Sequence, residues 1–471
     1  MPRVIAISGI ALVTLGLFAA PAQAAAAIGV ATVTGTKVVY KAAKGKQNKV
    51  VVTRSGNTIT VDDKVAVKPG KGCKKVSGDK TRVRCTTSKT PTRVKVYTYD
   101  RNDSIVNKTG LGMTADAGSG NDSITGGPRG DTLYGNTGKD KIWGLAGKDY
   151  LYGGTGGDWI SGGDSDDVID GDTGNDVVYG NNGHDYVGGG VGNDRLSGGA
   201  GVDYIGWTDY EGTGNDVFSG GSDEDTLNAY RYYEHAVRVD TDGVADDGAS
   251  GEKDNVKNDI EIIYGTDKND RISGGSQPNI LFGGKGNDVL YGLGGIDNLL
   301  GGPGADVLDG GSGDDFLQGD DPNEGKVSAD VIRGGTGNDR VWYGSYTKPV
   351  TVDLDGAKGD DGQAGEGDTV GSDVENLAGG DGSDRLTGNG AANVIWGNDG
   401  NDVIRGGGGN DELIGNNGRD SIYGDAGDDL LDGQDYNGNE VDRLDGGANS
   451  PVGDRCRQVT GDIVVSCEST L

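Results

Sequence analysis

Histidine is almost missing from this chain. The two copies in 471 residues, His184 and His235, leave a zinc site without partners. No His-Glu-x-x-His and no Gly-x-Ser-x-Gly sequence occurs, which excludes the zinc-protease helix and the serine-hydrolase elbow. Long apolar runs are missing as well. Beyond the first two dozen residues, no stretch is long and apolar enough to span a bilayer. Cysteine is scarce, and its four copies fall in two close pairs, Cys73 with Cys85 and Cys456 with Cys467. An even number in an exported chain reads as two disulfides, each contributing about 3 kcal/mol by closing a short loop. Basic charge is scarce after residue 100. The whole chain carries 43 Lys and Arg against 74 Asp and Glu, a formal charge of −31. Residues 25–99 nevertheless hold a net charge of +14, and residues 100–471 a net of −46. A basic head precedes an acidic body, and an acidic exported chain is a poor candidate for nucleic acid.

Glycine is what the chain has in excess, 93 residues in all. Collagen is excluded because its glycine recurs every third residue, and here the period is nine. From Ala117 to Gly206, ten nine-residue units follow one another without a gap, beginning AGSGNDSIT, GGPRGDTLY, GNTGKDKIW, GLAGKDYLY and GGTGGDWIS. The general unit is Gly-Gly-x-Gly-x-Asp-x-U-x, where U is large and aliphatic. Position six is filled by Asp122, Asp131, Asp140, Asp149, Asp158, Asp167, Asp176, Asp185, Asp194 and Asp203. Position eight is filled by Ile124, Leu133, Ile142, Leu151, Ile160, Ile169, Val178, Val187, Leu196 and Ile205. The phrase continues at Asp216 and Asp225. A second block of six units, 265–318, carries Asp270, Asp288, Asp297, Asp306 and Asp315, followed by Asp339. A third block of six, 379–432, carries Asp384, Asp402, Asp411, Asp420 and Asp429. Asn279 and Asn393 replace Asp once in each later block, offering an oxygen without the charge. A fixed period of this kind predicts a solenoid.

This repeat resembles that of the RTX, or hemolysin-type calcium-binding, family. The resemblance implies a parallel β-roll in which two units make one coil and calcium ions sit between stacked turns. The residues independently give the same architecture. The half Asp-x-U-x alternates, so U points to one face and its neighbours to the other. Ile, Leu and Val suit a strand packed on one side. The glycine half predicts a sharp turn, since glycine takes positive φ at no steric cost. One coil buries too little alone, so coils must stack.

Stacking places each aspartate over the one eighteen residues earlier. Asp122, Asp140, Asp158, Asp176 and Asp194 then form one ladder, and Asp131, Asp149, Asp167, Asp185 and Asp203 the opposite one. Parallel strands lie about 4.8 Å apart. Carboxylates at that distance repel by about 1 kcal/mol in water and several times more at an effective dielectric of about 20. Summed along a ladder, this rivals the roughly 5–15 kcal/mol net stability of a domain. Calcium takes six to eight oxygens from carboxylates and carbonyls, and glycine turns expose carbonyls. The 23 sixth-position aspartates named above are therefore the candidate ligands for multiple Ca2+ ions, with binding and folding as one event.

Residues 1–24 read as a secretory signal peptide, with Arg3, an apolar stretch from Val4 to Ala20 and the small-x-small site Ala22-Gln23-Ala24. Residues 25–100 read as a basic N-terminal β domain, a small sandwich or open barrel, from strand-like runs at 36–40, 49–53, 58–62, 82–85 and 93–99. This head is expected to cap the first coil, with an anionic cell-wall polymer or glycan as its possible partner. The remaining divisions are a first roll block at 101–228, an acidic insert at 229–264, a second block at 265–342, an acidic insert at 343–378, a third block at 379–447 and a disulfide-tied cap at 448–471. The inserts resemble each other: Val237, Val239, Asp240, Asp242 and Gly243 match Val350, Val352, Asp353, Asp355 and Gly356. Their acidic loops either bind more calcium or stay solvated, since they lack EF-hand spacing. Tyr134 with Tyr152, and Tyr186 with Tyr204, stand one coil apart, which fits cross-strand packing.

The fold class expected is all-β: a parallel β-roll in three blocks with a small N-terminal β domain and a C-terminal cap. A catalytic site is not expected, because the head has no histidine and only Asp62, Asp63 and Asp79 as acids. The function expected is that of an exported, non-enzymatic calcium-binding repeat protein, secreted or held at the cell surface, with no membrane span in its mature form. A glycan-binding or glycan-active protein that uses the roll as a scaffold is the alternative.

Overall fold

The computed structural model describes residues 28–208, 214–434, 440–449, 453–458 and 461–470. The signal expected at residues 1–24 lies outside them. Every regular element among the described residues is a β-strand. The molecule is a parallel β-solenoid of about 20 turns. Successive units place their strands alternately on two faces. The register between neighbours on one face is eighteen residues, as Ile142 facing Ile160 and Leu133 facing Leu151 illustrate.

The strands are longer than the Asp-x-U-x half predicts. Lys141–Ala146 and Trp159–Asp164 each run from position seven into position three of the next unit. Pairing skips the first-position glycine and resumes beyond it, where Leu145 faces Gly163. The backbone bends at this point without leaving the sheet, because position two takes a left-handed conformation. Asn136, Leu145 and Asp172 do so at φ 75°, 84° and 74°, and Asn and Asp tolerate this region best. Position four admits Arg129 and Ser165, but where it is glycine it is often stricter. Gly156, Gly174 and Gly192 have φ of 137°, 142° and 150°, which is essentially glycine-only territory. A Cβ on Gly174 would also overlap the Gly156 carbonyl oxygen of the coil below.

The core is a double file of position-eight side chains. From Ile124 to Ile205 all ten are buried, each contributing roughly 1.5–3 kcal/mol. One face forms a single 22-stranded sheet. Its file runs from Leu133 through Ile205, Leu227, Ile263 and Leu281 to Leu431 and Cys456. The other face is divided into sheets of 12, 7 and 8 strands, and the breaks fall at the two inserts.

Each insert steps forward one coil and then returns. Val237–Asp240 opens the seven-stranded sheet by pairing with Arg271–Ser273. The chain then doubles back, so that Asn255–Val256 closes the 12-stranded sheet on Val217–Ser222. Ile262–Tyr264 rejoins the continuous face. Asp247 bridges the break: its Oδ1 accepts from the Asp240 amide at 2.6 Å and its Oδ2 from the Val256 amide at 2.8 Å. Asp361 repeats this with Asp353 and Val370, at 2.7 and 2.9 Å.

The basic head is two-layered and continuous with the roll. Lys37–Lys41 pairs with Arg93–Tyr97, which pairs with Gly112–Ser119 on one face. Lys49–Ser55 pairs with Ser104–Lys108 on the other. Antiparallel strands lie outside these, tied by the Cys73–Cys85 disulfide between facing residues. At the far end, Cys456 is bonded to Cys467, and Ile463–Val465 and Ser469–Thr470 add the last pairings. Tyr134 stacks on Tyr152 at 5.0 Å and Tyr186 on Tyr204 at 4.8 Å, the cross-strand packing expected for these rings.

The two glycine positions should respond differently to substitution. Gly174→Ala is expected to cost about 3 kcal/mol or more, while Leu145→Gly, at an exposed left-handed position, stays within about 1 kcal/mol of the parent. Urea unfolding at saturating calcium measures both, and equal effects would contradict the assignment of strain to position four.

Candidate metal ladders

The sixth-position aspartates follow the turn at positions four to six and enter the next strand. Each side chain therefore points along the stack, into the gap between coils. Oδ1 accepts a hydrogen bond from the backbone amide of the aspartate one coil earlier. Asp122 donates to Asp140 at 2.6 Å, Asp140 to Asp158 at 2.7 Å, and Asp158 to Asp176 at 2.6 Å. Asp131, Asp149, Asp167, Asp185 and Asp203 repeat the chain on the opposite edge, at 2.6 to 2.8 Å. Both ladders are thus brought together as the period demands.

Oδ2 is different. It is buried, and no donor among the described residues reaches it in Asp140, Asp158, Asp176 and Asp194, nor in Asp149, Asp167, Asp185 and Asp203. The same holds for Asp122, Asp225, Asp288, Asp297, Asp306, Asp315, Asp339, Asp402, Asp411 and Asp429. Buried polar atoms are nearly always satisfied, so a file of such oxygens demands a partner. In Asp140, Asp149, Asp158, Asp167, Asp176 and Asp185, Oδ2 faces a carbonyl oxygen of the next coil across a space kept open by the first-position glycine, whereas position one before Asp122 is Ala117. A Cβ on Gly153 would stand 2.5 Å from Asp158 Oδ2 and 2.7 Å from the Gly171 carbonyl oxygen of the next coil. On Gly171 it would stand 2.6 Å from Asp176 Oδ2 and 2.6 Å from the Gly189 carbonyl. No ion pair among the described residues involves Asp140, Asp158, Asp176 or Asp194. The cradle offers oxygens only, one of them charged, which is the donor set of a hard cation such as Ca2+.

The electrostatics agree. Burial pushes the Asp122 and Asp149 carboxyls up to about 7 and those of Asp167 and Asp176 to about 8. The amide donors to Oδ1 oppose this, and neighbouring ladder carboxylates add to it. Asp306 in the second block and Asp402 in the third behave alike, at about 8.

Not every sixth-position residue has this geometry. At Asp131, Asp270 and Asp384, Oδ2 accepts the amide of the residue four earlier, from Gly127, Thr266 and Gly380, at 2.6, 2.6 and 2.7 Å. Asp216 and Asp420 accept the amides of Asp194 and Asp402 through Oδ1, at 2.7 and 2.8 Å. Asn279 and Asn393 do more than lose a charge. Their Nδ2 groups donate to the carbonyls of Glu261 and Glu375, at 3.3 and 3.0 Å, while the Oδ1 that enters the cradle already accepts the Gly275 or Asn389 amide at 2.8 Å.

Several ladder members escaped the period. Asp103, ahead of the first unit, receives the Asn48 amide at 2.6 Å and has an unsatisfied Oδ2. Asp330 does the same with the Asp306 amide at 2.8 Å. Glu261 and Glu375 stand in for Asp opposite Asp225 and Asp339. Asp103-Ser104-Ile105 and Asp330-Val331-Ile332 carry the Asp-x-U signal, but outside an unbroken tract. A second, exposed ladder lies at position five. Asn121 and Asn401 accept the amides of Lys139 and Arg419 at 3.0 and 2.9 Å. Each insert also gathers three carboxylates within 4.8 Å, Asp240, Asp242 and Asp246 in one, Asp353, Asp355 and Asp360 in the other.

A family model described as the RTX calcium-binding nonapeptide repeat (4 copies) matches residues 114–128, 125–160, 152–187, 179–205, 212–231, 264–299, 291–321, 324–345, 378–413 and 405–435, more than half of the chain. No curated protein matches it.

The raised carboxyl pKa values fix a sign. Protonation of the ladders favours the folded calcium-free chain, and that contribution is full below the unfolded aspartate value of about 4. It is lost as pH rises through the folded values of about 6 to 8. In chelator, the β signal in far-UV circular dichroism should be greater at pH 5, where the ladders are protonated, and fall toward the disordered baseline by pH 8. In saturating calcium the fall should vanish or reverse, because protons compete with the metal. A calcium-free chain with a stronger β signal at pH 8 than at pH 5 would contradict the assignment.

Proposed function

The chain belongs to the RTX calcium-binding nonapeptide repeat family, and from that membership we propose that it is an exported, non-enzymatic rod assembled by calcium and acting at or near the cell surface. RTX nonapeptide repeats bind multiple Ca2+ ions. The observation that carries the reading is the file of buried, donorless Oδ2 atoms, which at Asp140, Asp158, Asp176, Asp288, Asp306 and Asp402 face a carbonyl across a glycine cradle. The residues proposed to hold the ions are the ladder aspartates with this geometry, among them Asp140, Asp158, Asp176, Asp288, Asp306 and Asp402. Bound calcium supplies charge neutralisation between coils. The chain's own residues do the rest: Oδ1 fixes each carboxylate on the preceding amide, and the glycines leave room for the ion.

Two disulfides support export, since such bonds persist in oxidising compartments. Calcium is plentiful there, and extracellular modules of this kind bind it with dissociation constants of about 10⁻⁴–10⁻³ M. No helix among the described residues is long and apolar enough to cross a membrane. The basic head is proposed to meet an anionic cell-wall polymer or glycan, with the acidic roll projecting away from it. The stacked pairs Tyr134–Tyr152 and Tyr186–Tyr204 turn ring faces toward each other, at 8° and 6°, which argues against the sugar platform that a glycan-active protein would need.

Far-UV circular dichroism with stepwise calcium tests the proposal. The β signal should rise cooperatively from a disordered baseline in chelator. The double variant Asp158→Ala, Asp176→Ala should move the midpoint to higher calcium, by about tenfold for each 1.4 kcal/mol of binding lost. An unchanged midpoint would contradict the ladder assignment, and chain cleavage in a screen of acidic polysaccharides would contradict the non-enzymatic role.

A further inference from the structure

Three buried aspartates at the edges of the ladder system differ from the other ladder members; outside the ladder, Glu366 also takes a tyrosine hydroxyl, from Tyr346 at 2.6 Å. Asp254 lies one coil beyond Asp216 and accepts its amide through Oδ1 at 2.8 Å. Its Oδ2 accepts a hydrogen bond from the Tyr230 hydroxyl, also at 2.8 Å. Asp368 takes the Asp330 amide at 2.9 Å and the Tyr343 hydroxyl at 2.8 Å. In the head, Asp63 takes the Lys49 amide at 2.7 Å and the Tyr40 hydroxyl at 2.7 Å. All three tyrosines and all three aspartates are buried.

Their places are not random. Asp254 immediately precedes Asn255–Val256, the last strand of the 12-stranded sheet, and Asp368 precedes Thr369–Val370, the last strand of the seven-stranded sheet. Asp63 follows Thr58–Asp62, a head strand outside the parallel stack. Beyond a sheet's last strand no further coil of that face presents the first-position carbonyl that Gly171 or Gly189 offers inside the roll. The oxygen across the glycine is instead a carboxylate: a Cβ on Gly248 would stand 2.5 Å from Glu252 Oε2 and 2.8 Å from Asp254 Oδ2, and on Gly362 2.6 Å from Glu366 Oε2 and 2.7 Å from Asp368 Oδ2. Those Oε2 atoms already accept the Ala249 and Gln363 amides, and the tyrosine O–H satisfies the aspartate oxygen that remains. The tyrosines arrive by the same turn in both inserts: the Tyr233 amide donates to the Tyr230 carbonyl and the Tyr346 amide to the Tyr343 carbonyl, each at 2.9 Å.

We infer that Tyr230, Tyr343 and Tyr40 are metal-independent terminators: each hydroxyl takes, at the edge of a ladder, the place that calcium takes inside it. The divided face is thereby cut into segments whose interiors require calcium and whose ends do not. This inference rests on the calcium ladder proposed above.

Hydrogen exchange on the full chain tests it, followed at the amides bound to the two kinds of carboxylate. Below the calcium midpoint, the amides of Asp216 and Asp330 should keep protection at least about tenfold above those of Asp140 and Asp158. Loss of all four in step overturns the inference. Tyr230→Phe and Tyr343→Phe then separate a stand-in for calcium from an ordinary buried hydrogen bond. A stand-in predicts faster exchange at Asp216 and Asp330 at low calcium, with recovery at saturating calcium as the ion reaches the uncovered carboxylate. Equal acceleration at both calcium levels overturns it. If a variant does not fold, the comparison within the parent chain decides. Exchange at Asp140 and Asp158 that ignores calcium would overturn the ladder reading itself, and this inference with it.

Discussion

A buried carboxylate repeated at every coil is the constraint on which this structure depends. A ladder aspartate such as Asp158 or Asp176 spends one oxygen on the amide of its predecessor and turns the other toward a carbonyl of its successor. The first interaction sets the register of the stack. The second is repulsive unless something positive lies between. Hydrophobic burial does not remove this conflict, because the position-eight file and the aspartate ladder belong to the same coils and cannot be satisfied separately. A cation resolves both at once, and so folding and metal binding become one equilibrium.

The glycines follow from the same constraint, in two distinct ways. The first-position glycine is needed for space, since a Cβ at Gly153 would occupy the cradle between Asp158 and the Gly171 carbonyl. The fourth-position glycine is needed for conformation and for close approach of coils, as Gly174 over Gly156 illustrates. The second position is left-handed too, at φ values that Asn136, Leu145 and Asp172 accommodate, although a Cβ on Gly154 or Gly163 would overlap the carbonyl oxygen of Asn136 or Leu145 in the coil below. A composition one-fifth glycine is therefore the consequence of stacking coils at strand spacing around a charged file.

The period made the roll, the alternating core and both ladders legible in the sequence, because each depends only on spacing of nine and eighteen. Ile142 over Ile160 and Asp140 beside Asp158 needed no other information. What spacing did not reveal is what depends on contacts between distant segments. The return of Asn255–Val256 onto Val217–Ser222 is set by Asp247 bridging two coils. The Tyr343 hydroxyl meets Asp368 across 25 residues. Asp103 and Asp330 were missed because they continue a ladder through irregular chain, where the spatial step is one coil but the sequence step is not eighteen. The extension of each strand past the first-position glycine was hidden for a local reason: a left-handed residue reads as a turn in sequence, yet here it bends a strand that stays paired.

Small-angle X-ray scattering combined with elemental analysis, on one sample before and after exhaustive chelation, bears most directly on the central claim. With calcium, about 20 turns at about 4.8 Å per turn give a rod on the order of 100 Å long that retains many calcium ions per chain. After chelation the metal should be gone and the rod replaced by an expanded, flexible chain. A rod of unchanged length containing no metal would contradict the account.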